Sequence, residues 1–206
     1  MRKKELEILL SKLEQPSQPK LELEQYPTPS SLVAEILNLA QLSKDIQNKK
    51  VADFCCGSGK FGIGCLLLGA RRVCFVDVDE AMINLAKQNL LSLDKKFFKR
   101  AEFKVADVRK LEEEFDTIFQ NPPFGLQSSL SDLDFLEASL RCAKKVYSLH
   151  GYSEKSRKFL KEFLHRRKVE IQRVIKFKFE LPPLFKFHRK RKHSYWVDLY
   201  VLRARA

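Results

Sequence analysis

The chain has 206 residues, of which 44% are apolar and 11% aromatic, enough to bury one core and too apolar for a disordered protein. No apolar run approaches the ~20 residues of a membrane span, and the first residues contain no secretory apolar segment, so we expect a cytoplasmic protein. The net charge of +13 is concentrated in residues 141–206, which hold 20 Lys and Arg against five Asp and Glu. That asymmetry predicts nucleic acid as a partner.

The five cysteines show no pair at metal-ligand spacing and lie in apolar stretches. We therefore expect buried thiols, with neither a disulfide framework nor a metal site. They are Cys55, Cys56, Cys65, Cys74 and Cys142.

Two helices, at residues 3–14 and 30–42, are predicted before the pattern changes to alternating strands and helices. Between them, residues 21–25 are predicted to be extended. Five apolar strands follow, at 51–55, 72–76, 102–106, 115–119 and 145–149, with helices at 61–68, 80–93, 131–143 and 153–167. Two longer strands, 170–179 and 194–201, close the chain and should form an antiparallel hairpin.

This pattern predicts an α/β protein with a Rossmann-like, seven-stranded and mostly parallel sheet, an antiparallel closing strand and helices on both faces. In such a sheet, ligands bind at the carboxyl ends of the strands.

The most informative motif, Asn121-Pro122-Pro123-Phe124, directly follows the apolar strand 115–119. The prolines fix φ and hold Asn121 extended. We expect the Asn121 amide and the Pro122 carbonyl to point at one position beside the Phe124 ring. Two acceptors and a flat apolar face suit a planar amino group on an aromatic ring.

Acidic residues near three other strand ends predict a nucleoside site. Asp53 precedes the turn Gly57-Ser58-Gly59, whose glycines permit close approach of a ligand. Asp77 ends the second predicted strand and can accept both ribose hydroxyls. Asp107 follows the third strand and can accept an adenine amine, with Val108 packing on the ring. A carboxylate beside the turn disfavours a diphosphate, so adenosine without phosphates is predicted.

These motifs resemble the class I methyltransferases that use S-adenosylmethionine. More narrowly, the chain is similar to the methyltransferase-like-five group of small-subunit ribosomal RNA adenine-N6 methyltransferases. The narrower resemblance rests on blocks in one order: residues 23–28, 121–125, 146–150, 186–190 and 195–199.

The resemblance implies that residues 1–44 cover the cofactor site and that residues 45–206 form the methyltransferase domain with a basic, RNA-binding C-terminal part. Gln25 and Thr28 would contact the methionine end of S-adenosylmethionine. The chain departs from the family at Cys55, which replaces the usual first glycine, and at Lys60, which replaces an apolar residue. Both positions, with Gly57, Ser58 and Gly59, are predicted cofactor contacts.

The implied substrate is an unpaired adenosine in RNA, expected to be small-subunit ribosomal RNA, with the residues of the Asn121–Phe124 motif as the catalytic set. We expect Trp196 to pack in the core or against a neighbouring strand rather than to stack on a base. The predicted RNA-binding residues are Lys186, His188, Arg189, Lys190, Arg191 and Lys192.

The resemblance also implies a heterodimer with a small zinc-binding activator protein that pairs with an exposed sheet edge. Strands 72–76 and 102–105 are the candidate edges, because an apolar edge invites a partner strand.

Three alternatives remain open from the sequence. The same two acceptors could hold a glutamine amide of a translation release factor, although those enzymes usually have tyrosine after the prolines. A DNA adenine methyltransferase would need a target-recognition insertion that the chain lacks. A non-catalytic RNA-binding or assembly protein would not need acids at three strand ends.

Overall fold

The computed structural model describes residues 1–17, 19–20, 23–124, 132–181 and 193–204. Within these residues, seven strands form one sheet in the order β3-β2-β1-β4-β5-β7-β6. The strands are β1 Lys50–Phe54, β2 Arg72–Asp77, β3 Ala101–Val105, β4 Phe115–Gln120, β5 Ala143–Gly151, β6 Glu170–Leu181 and β7 His193–Arg203. The first five pair in parallel, and β7 pairs antiparallel to both β5 and β6. The predicted fold class and closing hairpin are confirmed.

Helices cover both faces of the sheet. They are α1 Lys3–Ser11, α2 Ser30–Leu42, α3 Lys60–Leu67, α4 Glu80–Leu93, α5 Asp132–Cys142 and α6 Glu154–Arg166. Buried residues of the first four helices share one hydrophobic cluster, and those of α5 and α6 belong to the cluster on the other face. Residues of β1 alternate between the two clusters, because successive side chains of a strand point to opposite faces.

Three expectations about the elements need correction. The first helix ends at Ser11 rather than at residue 14. Within the stretch expected to be extended, Leu23 and Glu24 form a turn instead, and Glu24 adopts φ +48°. β2 is not an edge strand, because it pairs with β1 on one side and β3 on the other. The order of strands depends on contacts across the sheet, which local sequence does not encode.

Helix starts place several side chains at the carboxyl edge of the sheet. Asp79 caps α4 by accepting a hydrogen bond from the amide of Ala81, and Gly59 starts α3 in the left-handed conformation, with φ +83°. None of the helices within the described ranges is both long and apolar enough to cross a membrane.

Close packing of α3 on β2 depends on Gly62. A Cβ atom added at this position would overlap the Phe75 ring, which is buried and stacks on Phe103 with ring centroids 4.8 Å apart. The ring therefore has no free space into which to move.

We expect Gly62→Ala to lower the free energy of unfolding by about 1–2 kcal/mol, because overpacking costs more than the gain in helix propensity. Urea unfolding followed by far-ultraviolet circular dichroism measures the loss. Gly151→Ala is the matched control, since its new methyl group would meet the Phe124 ring at 3.8 Å, an ordinary contact. In a Phe75→Leu background the cost of Gly62→Ala should shrink; an unchanged cost would contradict this explanation.

Candidate active site

A cavity opens at the carboxyl ends of the parallel strands, where the sequence predicts a ligand. Eleven of the fifteen predicted catalytic and cofactor residues line it: Gln25, Thr28, Cys55, Gly57, Ser58, Lys60, Asp77, Asp107, Val108, Asn121 and Pro123. Four others do not belong to the lining: Asp53, Gly59, Pro122 and Phe124.

The turn after β1 keeps a glycine-like backbone even where the residue is cysteine. Cys55 has φ +55°, and Gly57 follows with φ +51°. A left-handed conformation costs a non-glycine residue about 1–2 kcal/mol, so the surrounding structure stabilises Cys55 in the conformation that glycine would adopt. Burial raises the pKa of the Cys55 and Cys56 thiols well above the ordinary value, which favours neutral thiols over nucleophilic thiolates.

Asp77 lies where a ribose is predicted to bind. One of its oxygens accepts the Gly57 amide at 2.9 Å, and the other accepts the Asp79 amide at 3.0 Å. Burial raises the pKa of the Asp77 carboxyl above its usual value, and these two backbone donors oppose that shift. Each oxygen retains acceptor capacity for a hydroxyl of a ligand in the cavity.

Asp107 lines the cavity but is already paired. Its two oxygens accept from the Arg109 guanidinium at 2.6–3.1 Å, and that interaction lowers the pKa of the Asp107 carboxyl. Arg109 lines the cavity too, and sequence reasoning missed it. The sequence signal for Arg109 is its position two residues after Asp107, directly beyond β3. If Asp107 also accepts a hydrogen bond from an adenine amine, as predicted, the amine and Arg109 would donate to the same carboxylate.

Asp53 does not line the cavity but binds the first turn of α3. Its side chain is buried and accepts the Gly62 amide at 2.7 Å. Burial raises the pKa of this carboxyl well above its usual range. The described contacts make Asp53 a residue that fixes α3 against β1.

The N-terminal segment closes one side of the cavity. The Lys60 ammonium donates to the Thr28 carbonyl at 2.7 Å. The Gln25 amide donates to Asp79 at 2.8 Å, and Gln25 lines the cavity, where the family resemblance implies a cofactor contact. Glu24, a residue that sequence reasoning did not assign to the site, accepts the backbone amide of Phe124 at 2.6 Å. These bonds join residues far apart in sequence, so no local pattern reveals them.

Asn121 lines the cavity and carries an unused hydrogen-bond acceptor. Its side-chain nitrogen donates to the Thr28 hydroxyl at 3.0 Å, which fixes the orientation of the amide. The side-chain oxygen is buried and has no hydrogen-bond partner among the described residues. A buried acceptor without a partner costs about 1–3 kcal/mol, so a ligand that donates a hydrogen bond here would recover that energy.

A buried polar chain supports the residue before Asn121. The Gln120 amide donates to Ser148 at 2.8 Å and accepts from Ser139 at 2.7 Å. Ser148 in turn lies 2.8 Å from one ring nitrogen of His150, whose other ring nitrogen lies 2.8 Å from Asp132. Side chains held in this way fix the end of β4 and hence the backbone at Asn121.

Two further predictions about RNA contacts have different outcomes. The predicted RNA-binding residues Lys186, His188, Arg189, Lys190, Arg191 and Lys192 all lie outside the described residues. Trp196 pairs within the sheet opposite Lys178, as expected for a strand residue. It is 47% exposed, so of the two expected environments, the core or a neighbouring strand, only the neighbouring strand describes it.

The strand order, the glycine turn after β1, the acidic residue at the end of β2 and the Asn-Pro-Pro-Phe motif after β4 together define a class I methyltransferase that uses S-adenosylmethionine. The donors and acceptors in the cavity fit this cofactor: Asp77 can accept ribose hydroxyls, and the N-terminal segment closes over the same space.

Comparisons with known proteins identify the family. A family profile described as "Conserved hypothetical protein 95" matches residues 20–175. The rRNA N(6)-adenosine-methyltransferase METTL5 of Danio rerio is 32% identical, with 96% of this chain and 97% of that protein covered. MJ0284 of Methanocaldococcus jannaschii is also 32% identical, over 93% of this chain and 89% of that protein. The crystal structure of PH1948 from Pyrococcus horikoshii has a TM-score of 0.91 and 35% identity, covering 100% of this chain and 99% of the other. The chain belongs to this family, as a methyltransferase of the METTL5 type.

Burial of Lys60 predicts a dependence of stability on pH. Loss of hydration lowers the pKa of its ammonium group from 10.5 to about 8. Between these values the unfolded chain holds a proton that the native state has lost, so rising pH favours the native state.

We expect the free energy of unfolding of the wild type to rise from pH 8 to 10, relative to Lys60→Met, by about 2 kcal/mol. Urea titrations at each pH measure this difference. Lys12→Met removes a charge at an exposed position and serves as the control. If the free energy of unfolding of the wild type and of Lys60→Met changed with pH in the same way, the lowered pKa of Lys60 would be refuted.

Proposed function

We propose that this chain transfers a methyl group to N6 of an adenosine in ribosomal RNA, with the small-subunit RNA as the expected substrate. The observation that carries the proposal is the buried, unpartnered side-chain oxygen of Asn121, which lines the same cavity as Asp77. The Danio rerio relative, named as an rRNA N(6)-adenosine-methyltransferase, supports this substrate over the amide of a release factor. The cytoplasmic location expected from the sequence remains a prediction.

The cavity residues would hold the cofactor as follows. Asp77 would accept the ribose hydroxyls, Val108 would pack on the adenine ring, and the backbone at Gly57 and Ser58 would approach closely because neither residue has a bulky side chain. Thr28 and Gln25 lie on the N-terminal segment at the other side of the cavity. When bound, S-adenosylmethionine supplies an electrophilic methyl group on a positively charged sulfur.

The Asn121–Phe124 motif would prepare the acceptor nitrogen. The amine of adenine is a poor nucleophile, since its lone pair is delocalised into the ring. Hydrogen bonds from its two protons to the Asn121 oxygen and to the carbonyl of Pro122, which stands between the lining residues Asn121 and Pro123 but outside the lining, would localise that lone pair and stabilise the positive charge that develops. The hydrogen bond from the Asn121 nitrogen to Thr28 leaves the side-chain oxygen as the acceptor for the amine.

Phe124 would stack on the target base beside these acceptors. The Glu24 carboxylate accepts a hydrogen bond from the backbone amide of Phe124. The Phe124 ring lies beside Gly151 at the end of β5, where a Cβ atom built on the glycine would be 3.8 Å from the ring. A base inside a duplex cannot reach such a corner, so the target must be unpaired or flipped out. The basic residues 186–192 would bind the phosphates around it.

Asn121→Ala should lower methyl transfer by at least about 10²- to 10³-fold, the usual cost of removing one preorganised hydrogen-bonding group. Binding of S-adenosylmethionine should stay within a fewfold of wild type. The assay follows labelled methyl groups into ribosomal RNA, which is then digested to nucleosides. Asn84→Ala, at an exposed site on α4, is the matched control. Equal activity of Asn121→Ala and wild type would end the proposal.

We also propose that a small zinc-binding activator protein pairs with β3. Among the described strands, β3 is an edge strand whose one partner is β2, and Val105 at its end is 53% exposed. An open apolar edge can accept a further strand from a partner. β2, the other candidate edge from the sequence, is ruled out because it lies inside the sheet.

Val105→Glu should weaken co-purification with the activator by about tenfold or more, since the new charge would be buried at the interface. Size-exclusion chromatography of the co-expressed proteins measures the complex. Leu42→Glu places the same charge on another exposed apolar residue, at the end of α2, and should leave the complex intact. Retention of the complex by Val105→Glu would move the interface away from β3.

A further inference from the structure

Four side chains form a partly exposed cluster near the start of β7, which we call the Trp196 cluster: Tyr152, Arg157, Lys176 and Trp196. The Lys176 ammonium lies 3.4 Å from the Tyr152 ring centroid and 4.7 Å from the Trp196 ring centroid. The Arg157 guanidinium lies 4.7 Å from the Tyr152 ring centroid. Cation–π attraction of this kind holds the rings in place, while nearly half of Trp196 stays exposed.

The Trp196 cluster lies on the same edge of the sheet as the Asn121–Phe124 motif. β4 and β5 run in parallel, so both end at that edge, and Gly151 at the end of β5 pairs with Val197. The Tyr152 amide donates to the Trp196 carbonyl at 2.9 Å. β7 is two strands from β4, which is about 10 Å at the usual strand spacing.

The charge around the Trp196 cluster suits a polyanion. Residues 152–181 carry ten Lys and Arg against four Asp and Glu. The buried Asp198 beside the cluster is neutralised by Arg157 through two hydrogen bonds of 2.6 and 2.8 Å. An exposed indole ring beside the Lys176 ammonium can stack on a nucleobase while the ammonium contacts the adjoining phosphate.

We propose that Trp196 is a stacking platform for an unpaired base of the substrate RNA near the target adenosine, with Lys176 beside the adjoining phosphate. The proposal rests on the proposed function for the choice of RNA as ligand. Aromatic side chains bind unpaired bases with little sequence preference, because every base presents a flat face. The Trp196 cluster would therefore position the RNA strand, and the Asn121–Phe124 motif would select the amine of the target adenosine.

The wild-type chain itself provides the first test, because Trp196 is its only tryptophan. Titration with a short single-stranded oligoadenylate RNA should quench the tryptophan fluorescence to saturation, and a duplex of the same length should not. Fluorescence that stays constant while labelled RNA binds would overturn the proposal, as would failure of the RNA to bind. A signal that follows protein concentration instead of RNA would show a self-association surface and also overturn it.

Variants separate stacking from charge. Trp196→Ala should weaken binding of the labelled oligonucleotide about tenfold, and Trp196→Phe should stay close to wild type. Trp196→Ala should leave the dependence of log K on log salt unchanged, whereas Lys176→Gln should reduce its slope by about one. Phe98→Ala, which removes an exposed aromatic ring before β3 at the opposite edge of the sheet, is the control. Equal affinities of Trp196→Ala and Trp196→Phe would contradict stacking.

The two proposals can fail separately. Methyl transfer to RNA without quenching of Trp196 would remove the stacking platform and leave the enzymatic function. Saturable quenching without methyl transfer would leave the stacking platform and remove the enzymatic function.

Discussion

The hydrogen bond between Asn121 and Thr28 is the contact on which the candidate active site depends. It commits the nitrogen of the Asn121 amide to the N-terminal segment and leaves the buried oxygen of this cavity-lining residue as an unused acceptor. Thr28 is itself held through its carbonyl by Lys60. Three parts of the chain, the N-terminal segment, the start of α3 and the end of β4, therefore determine the direction of one acceptor.

Burial gives these contacts their strength and their cost. Burial shifts three pKa values in the direction that favours the neutral side chain, because the surroundings solvate charge poorly. It raises the pKa of Asp53 and Asp77 and lowers that of Lys60. Each retains hydrogen bonds to the backbone that offset part of this loss. The same low polarity strengthens any hydrogen bond that a ligand makes to Asn121. Burying these polar groups lowers the stability of the fold but fixes their positions before a ligand binds, which is common at functional sites.

The sequence predicts the features that repeat locally. Alternation of apolar residues and glycine turns locates β1 to β7, and the acid or amide after a strand locates Asp77 and Asn121. It does not predict which groups those side chains bind. Asp53 bonds to the Gly62 amide instead of lining the cavity, and Glu24 reaches Phe124 across a hundred positions in the chain. Such contacts depend on the packed fold, and so does the exposure of Trp196.

The position of β7 has a consequence for how the protein is made. Within the part of the chain that the structure describes, β6 pairs with the sheet through β7 alone, and β7 follows it in the chain. A ribosome releases β6 first, so this strand has no place in the sheet until the next strand emerges. Meanwhile β5 and β6 both present unpaired edges of the kind that promote aggregation. Truncation before β7 would therefore leave a molecule that cannot complete its sheet.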